Sequence, residues 1–355
     1  MTLNRLNNLR ASLPEDIDAL LVLKPENRTY ISGFTGSSGY LVVGKESDMM
    51  LTDFRYTEQA AAQCPGVTII DYAPDLHVSL NDSLKSAGIN RLGFEGDFVP
   101  YATWVTLLEK LEADLVPCSG LVEKLRMLKD EDELVCMQKA AEIAEDALTE
   151  ILHQIKPGVT EAFVAMELEI AMRRLGSQGL AFPIIAASGP RSSLPHGRAS
   201  ERKIMPGDFL TLDFGAMYNG YCSDITRTFV VGEATAEQRR VYETVQKAQL
   251  KTLSAVRPGI AGRDVDKVAR DYITEQGFGE RFGHGLGHGV GRMVHEGPSA
   301  GSKSEDTLAV GHVITVEPGI YIPEWGGVRI EDMVVVTEEG YRNFYTFSKE
   351  LMELG

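Results

Sequence analysis

Short aliphatic runs separated by stretches of helical spacing dominate the first third of the chain. Residues 18–23 (DALLVL), 39–43 (GYLVV), 49–52 (MMLT), 67–72 (VTIIDY) and 91–95 (RLGFE) read as strands, and 55–63 and 101–112 as helices. That alternation predicts an α/β layer arrangement. The small and polar cluster at 27–37 (NRTYISGFTGS) predicts a turn-rich loop joining two strands. Beyond it the pattern changes. Leu134, Met137, Ala141, Ala144, Leu148, Ile151 and Ile155 recur at three-four spacing, which predicts one long amphipathic helix within 125–155. Acidic residues at 130–133 sit at its start, where they complement the positive end of the helix dipole. The boundary between two domains, 1–124 and 125–355, is placed just before this helix.

The second domain carries an internal repeat. Lys156-Pro157-Gly158-Val159 recurs as Arg257-Pro258-Gly259-Ile260, each followed by a helix that ends near a glycine, Gly176 or Gly277. Farther along, GDFLTLDFG (207–215) is echoed by GHVITVEPG (311–319), and GYCSD (220–224) by GVRIE (327–331). The chain therefore predicts two similar halves facing each other, each supplying one acid before a turn and one after it.

Strand alternation decides where these acids point. Leu210, Leu212 and Phe214 can cover a core while Thr211 and Asp213 face the other way; Ile314 and Val316 leave Thr315 and Glu317 opposite them. Asp213 and Asp224 are nearly symmetric about a turn at 217–220 (MYNG), so a simple hairpin predicts near cross-strand register between them. Glu317 and Glu331 are related in the same way across the loop around Trp325. Four carboxylates converging on one cavity repel unless they are protonated or neutralised. Two divalent cations balance four negative charges, and oxygen-rich ligation suits manganese, iron, cobalt or zinc better than a copper or thiolate site.

Composition narrows the alternatives. The 355 residues are 43% hydrophobic and 24% charged, as in an ordinary globular protein, and exceed what one average core serves. A formal net charge of −16 argues against a chain whose main task is holding nucleic acid or an anionic membrane surface. Cys64, Cys118, Cys136 and Cys222 lie far apart with no CxxC spacing, which fits a reducing cytoplasm rather than a disulfide framework. The first residues contain no continuous apolar segment of the kind that exports or anchors a chain.

Imidazoles supply the remaining chemistry. In GHGLGHGVG (283–291) alternating glycines let backbone approach closely and leave His284 and His288 projecting. The segment lacks the spacing and the leading strand of a phosphate-cradling loop. His295 follows in VHEGP and His196 stands in LPHGR. Any one of these residues alone is more often structural than catalytic. The acid repeated at equivalent positions of two halves, together with a glycine-framed histidine, is what points to a dinuclear metal site. Arg329 shares a strand face with Glu331, as its charge partner or as a substrate contact.

At these residues the chain resembles the metallopeptidase family of methionine aminopeptidase, prolidase and aminopeptidase P, with its pita-bread catalytic domain. LDFGAMYNGYCSDITRTF is similar to the family's two-aspartate hairpin, HGLGHGVGRMVHEGP to its histidine segment, and ITVEPGIY and GGVRIEDMVVVT to its two glutamate strands. NRTYISGFTGSSGYLVV and TDFRYTEQA resemble the creatinase-type N-terminal domain of prolidases and aminopeptidases P. Arg292-Met293 departs from the family's more usual Leu-Asp or Leu-Glu. The resemblance implies a mixed α/β (α+β) chain: a creatinase-type domain over 1–124, then a pita-bread domain over 125–355 with two pseudo-symmetric halves.

Carried over, the resemblance implies metal ligands Asp213, Asp224, His288, Glu317 and Glu331, with Asp224 and Glu331 bridging two divalent ions, manganese first and cobalt or zinc as alternatives. It makes His196, His284 and His295 substrate-side histidines and Glu317 the proton carrier. The activity implied is hydrolysis of an Xaa-Pro bond at a peptide N-terminus or in a dipeptide, by a metal-bridging hydroxide. A cytoplasmic homodimer acting on peptides with proline second is expected, with no nucleic-acid or membrane partner. Two other readings stay open: a creatinase-like C–N hydrolase working without metal, and a non-catalytic binding protein of the same fold. Five occupied ligand positions count against both.

Overall fold

The computed structural model describes residues 2–355, which divide into two compact units, one ending at Arg126 and the other beginning at Met127. The first unit is a six-stranded mixed sheet in the order β4-β3-β2-β1-β5-β6. Its strands are β1 (Ala19–Val22), β2 (Tyr40–Gly44), β3 (Asp48–Thr52), β4 (Thr68–Asp71), β5 (Arg91–Glu95) and β6 (Asp114–Cys118). Helices α1 (Thr2–Ser12), α2 (Pro25–Ser32), α3 (Thr57–Gln63), α4 (Leu76–Ser86) and α5 (Tyr101–Lys110) accompany them, and the boundary falls at the last residue of α6 (Leu121–Met127). Two apolar clusters, one around Leu20, Val22 and Phe34 and one around Leu21, Leu92 and Leu107, pack the sheet.

One expectation is corrected here: residues 27–32 are helix, not loop. Pro25 sets the first turn, and Gly33, at φ 82°, ends the helix by donating its N–H to the Thr29 carbonyl. The turn-rich part is confined to the residues after Gly33. There the buried Arg28 guanidinium donates to the carbonyls of Gly36 and Gly39, at 2.7 Å each, and holds the loop.

The second unit opens on α7 (Glu131–Ile151), whose start is a capping box: Asp130 accepts from the Glu133 N–H, and Glu133 accepts from the Asp130 N–H. The helix stops short of the expected span, and a single 3₁₀ turn carries 152–154. Then come α8 (Glu161–Arg174), β7 (Gly179–Leu180), β8 (Ile185–Ser188), β9 (Phe209–Phe214), β10 (Ala216–Tyr218), β11 (Tyr221–Cys222) and β12 (Ile225–Val231). The second half repeats the plan. It has α9 (Ala236–Ala255), α10 (Gly262–Glu275), β13 (Gly287–Gly289), β14 (Glu296–Ala300), β15 (Val313–Val316), β16 (Gly319–Ile322), β17 (Gly326–Arg329), β18 (Asp332–Thr337) and β19 (Gly340–Asn343), with β20 (Glu353–Leu354) returning beside β12.

The repeat read in the sequence is a repeat in space. Gly158 donates to the Ile204 carbonyl, and Gly259 donates to the Leu308 carbonyl, each at 2.8 Å. Each half has its own apolar core, one under α7 and α8, one under α9 and α10. A fully buried ion pair, Arg227 to Asp332 at 2.8 Å, ties β12 to β18 across the halves. Burial alone raises the Asp332 pKa, but Arg227 and Lys349 more than offset it and leave the carboxyl below its usual range.

Candidate metal centre

The first hairpin departs from the expected register, and the reason is local. The turn is Asn219-Gly220, both at positive φ (48° and 74°), a two-residue type I′ loop that pairs Tyr218 with Tyr221 and Met217 with Cys222. Carried down the strands, that register sets Asp213 opposite Thr226 rather than opposite Asp224. Asp224 falls in the break between β11 and β12, where its N–H donates to the Tyr345 hydroxyl at 3.0 Å and its carbonyl accepts from that hydroxyl at 2.7 Å. The second hairpin keeps its expectation: Gly319 pairs with Arg329 and Val316 with Asp332, a register that sets Glu317 opposite Glu331.

His288 stands in the middle of β13, a strand held between β14 and β15. The glycines beside it are required by close approach, since a Cβ on Gly289 would lie 2.1 Å from the Gly297 carbonyl oxygen. The His288 Nδ1 lies 3.1 Å from the Gly289 carbonyl, which assigns the proton to Nδ1 and leaves the Nε2 lone pair facing inward. That Nε2 lies 3.6 Å from Asp224 Oδ2 and 3.4 Å from Glu317 Oε1.

All nine site residues read from the sequence line one cavity of about 490 Å³: Asp213, Asp224, His288, Glu317, Glu331, His196, His284, His295 and Arg329. Its other lining residues are mostly apolar or small and include Phe182, Pro183, Ile185, Pro195 and Val294, with Arg198 as a further cation.

The electrostatics are those of a site short of positive charge. Burial pushes the carboxyl of Asp224 far above its usual range, and Glu331, Asp213 and Glu317 push it further. Glu331 is raised in the same way, by burial and then by Glu317 and Asp213, and burial carries Glu317 to about 8. Burial lowers His288 to about 4, so its ring is neutral near pH 7. Hydroxyls on the same strand faces steady the acids: Thr226 donates to Glu331 Oε2 at 2.6 Å and Thr315 to Glu317 Oε1 at 3.1 Å.

Three of these residues, Asp224, His288 and Glu331, offer ligand atoms within 4.8 Å of one another. Beside them Asp213 Oδ1 is buried with no hydrogen-bond partner. A neutral imidazole nitrogen, crowded carboxylates and an orphaned carboxylate oxygen are the donor set a divalent cation requires, so the residues fit such an ion.

Two sequence readings take a different form in space. Arg329 pairs with Asp213, not with Glu331: its Nη2 donates to Asp213 Oδ2 at 2.6 Å. Its Nε donates to Thr226, and its Nη1 to the Pro195 carbonyl and the Tyr321 hydroxyl. One N–H of the five on a guanidinium is left for anything else. His284 has both ring nitrogens engaged, with the Gly285 carbonyl at 2.7 Å and the Tyr321 hydroxyl at 2.9 Å, and burial lowers it to about 4. Its position at the cavity is thus that of a neutral ring steadying Tyr321. His196 and His295 open onto the cavity, and His295 packs edge-on against His288 with ring centroids 4.2 Å apart.

Residues 135–338 match the model of metallopeptidase family M24, and residues 5–128 match that of the creatinase/prolidase N-terminal domain. The chain belongs to metallopeptidase family M24. Across this family it is 38% identical to the Xaa-Pro dipeptidase of Pyrococcus furiosus over 98% of its own length and 99% of that protein's. Among solved structures it is similar to the Xaa-Pro dipeptidase of Bacillus anthracis, with a TM-score of 0.98, 45% identity and full coverage of both chains. It is also similar to an X-Pro aminopeptidase from Thermotoga maritima, with a TM-score of 0.91 and 36% identity over 95% of this chain and 98% of that one. The fold is therefore the family's: a creatinase-type domain followed by a pita-bread domain. No helix among the described residues is long and apolar enough to cross a membrane.

Proposed function

We propose that this M24 chain is a dinuclear, metal-dependent exopeptidase that hydrolyses the Xaa-Pro bond of dipeptides or at the N-terminus of longer peptides. The observation that carries the reading is the buried Asp213 Oδ1, unpartnered beside the Asp224–His288–Glu331 group. Two divalent ions, manganese first, would be held by Asp213, Asp224, His288, Glu317 and Glu331, where they would supply Lewis-acid charge and make a pocket water more acidic.

The chain's own groups do the rest. Arg329 holds Asp213 by one carboxylate oxygen and leaves the other free for ligation. Glu317, at the cavity wall with Thr315 donating to its Oε1, accepts the proton of the attacking water and passes it to the departing proline nitrogen. His196 and His295 donate to the carbonyl oxygen as it gains charge. Phe182, Pro183, Ile185, Pro195 and Val294 form the apolar wall for a proline ring, which brings no N–H needing a partner. Four free cysteines support a reducing, cytoplasmic setting, and the homodimer remains part of the proposal.

Incubation of manganese-loaded protein with Ala-Pro, with an Arg-Pro-Pro peptide and with Ala-Gly tests the reading. Release of the N-terminal residue from the proline substrates and not from Ala-Gly is expected. Equal cleavage of Ala-Gly, or cleavage of none, overturns it.

A further inference from the structure

One row of residues crosses the floor of the cavity. Arg198 is bridged to Ile185, Ile185 pairs with Asp213, Asp213 pairs with Thr226, and Thr226 is bridged to Glu331. Residues directly opposite in antiparallel register project to the same face, so the row carries its side chains to one side. Acids occupy its centre and one end; Arg198 occupies the other end.

Arg198 differs from every other cation of the cavity. Its backbone is fixed, by the bridge to Ile185 and by the Arg191 guanidinium, which donates to its carbonyl at 2.7 Å. Its side chain is exposed and lines the cavity, and its guanidinium has no hydrogen bond or ion pair among the described residues. Arg329, by contrast, spends four N–H groups on the protein. A planar cation with all five donors uncommitted, on a fixed backbone, suits a planar anion.

The spacing selects that anion. Strands lie about 4.8 Å apart, so the backbone of Arg198 stands about 10 Å from that of Asp213, two strands away. An extended dipeptide spans about 7 Å, and each further residue adds about 3.5 Å. A substrate whose amino end is at the acids thus brings the carboxylate of its second residue into the reach of the guanidinium.

Resting on the Xaa-Pro reading, we propose that Arg198 is a specificity-determining residue that binds the free α-carboxylate of an Xaa-Pro dipeptide and so biases the site toward dipeptides. The arginine rewards a terminal carboxylate and leaves an amide or a continuing chain with a weaker partner.

The test compares Ala-Pro with alanyl-prolinamide, which differ only in that carboxylate, using manganese-loaded wild type, Arg198→Leu and Arg198→Lys. Wild type is expected to favour the acid by about tenfold or more in kcat/KM. Arg198→Leu should abolish that preference through KM, and Arg198→Lys should recover part of it. Wild type cleaving acid and amide equally, or Arg198→Leu keeping the wild-type ratio, overturns the role of Arg198 while leaving the peptidase reading standing. Cleavage of neither substrate by wild type overturns the peptidase reading and this one with it.

Discussion

Arg329 donates to one oxygen of Asp213 at 2.6 Å, while the other oxygen of that carboxylate is buried with no partner at all. The pair is a half-finished bond. One oxygen is fixed by a guanidinium that is itself held by Thr226, Tyr321 and the Pro195 carbonyl, and the other is buried at the wall of a cavity lined by three more acids. A buried acceptor left open costs free energy unless something completes it.

Replacing Arg329 by Met removes the group that orients Asp213. Metal affinity should fall by about 10- to 100-fold, the range seen when a ligand loses its orienting partner. Titration of the metal-free variant with manganese checks this, and an affinity equal to wild type would count against the orienting role.

Metal removal should make stability depend on pH in a definite sense. Without a cation, Glu317 titrates at about 8, and Asp224 and Glu331 also lie far above their usual range, because burial and mutual repulsion disfavour their charged forms. In the unfolded chain such groups titrate near about 4. The folded state therefore binds more protons between those limits, and its stability falls as pH rises from about 5 to 8. Thermal melts of chelator-treated protein should show the melting temperature dropping over that window, and manganese should restore it most at the upper end. A flat profile would mean that the acids are not crowded in solution.

Histidines with different partners should fail differently. His295→Ala should lower turnover by about 100-fold while leaving metal content intact, because its ring faces the cavity and no ligand role is assigned to it. Tyr321→Phe should be milder, since it strips a hydroxyl that partners His284 and Arg329 from a residue that does not line the cavity. Elemental analysis beside kinetics separates the two; loss of both metals in His295→Ala would make that residue a ligand.

Gly289→Ala pushes a methyl group to 2.1 Å from the Gly297 carbonyl oxygen, a backbone atom that has little freedom to yield. We expect a loss of about 3 kcal/mol in unfolding free energy, together with weaker metal binding through displacement of His288. Chemical denaturation measures the first; an unchanged midpoint would show that the strand relaxes.

Much of this was legible in the sequence because it is written locally. The paired Pro-Gly turns, the acids alternating with apolar strand positions and the glycine-framed histidines each follow from short-range periodicity. The acids near Asn219-Gly220 show where that ends: placing the turn one residue early made Asp213 face Asp224, whereas the type I′ geometry sets it against Thr226. Helix 25–32 was missed because its start is a proline and its end a glycine, signals shared with loops. Arg329 choosing Asp213, and Tyr321 linking it to His284, depend on contacts between residues brought together only by the fold. The row from Arg198 to Glu331 crosses three strands and an isolated bridge at each end, and has no counterpart in sequence spacing.

Counting metal ions on the purified chain bears most directly on the central claim. After loading with manganese and dialysis, wild type should retain two ions per chain, and Asp224→Ala should fail to hold the pair while its N-terminal domain stays folded. A wild-type chain that retains one ion or none, or an Asp224→Ala chain that keeps both and hydrolyses Ala-Pro at the wild-type rate, would contradict it.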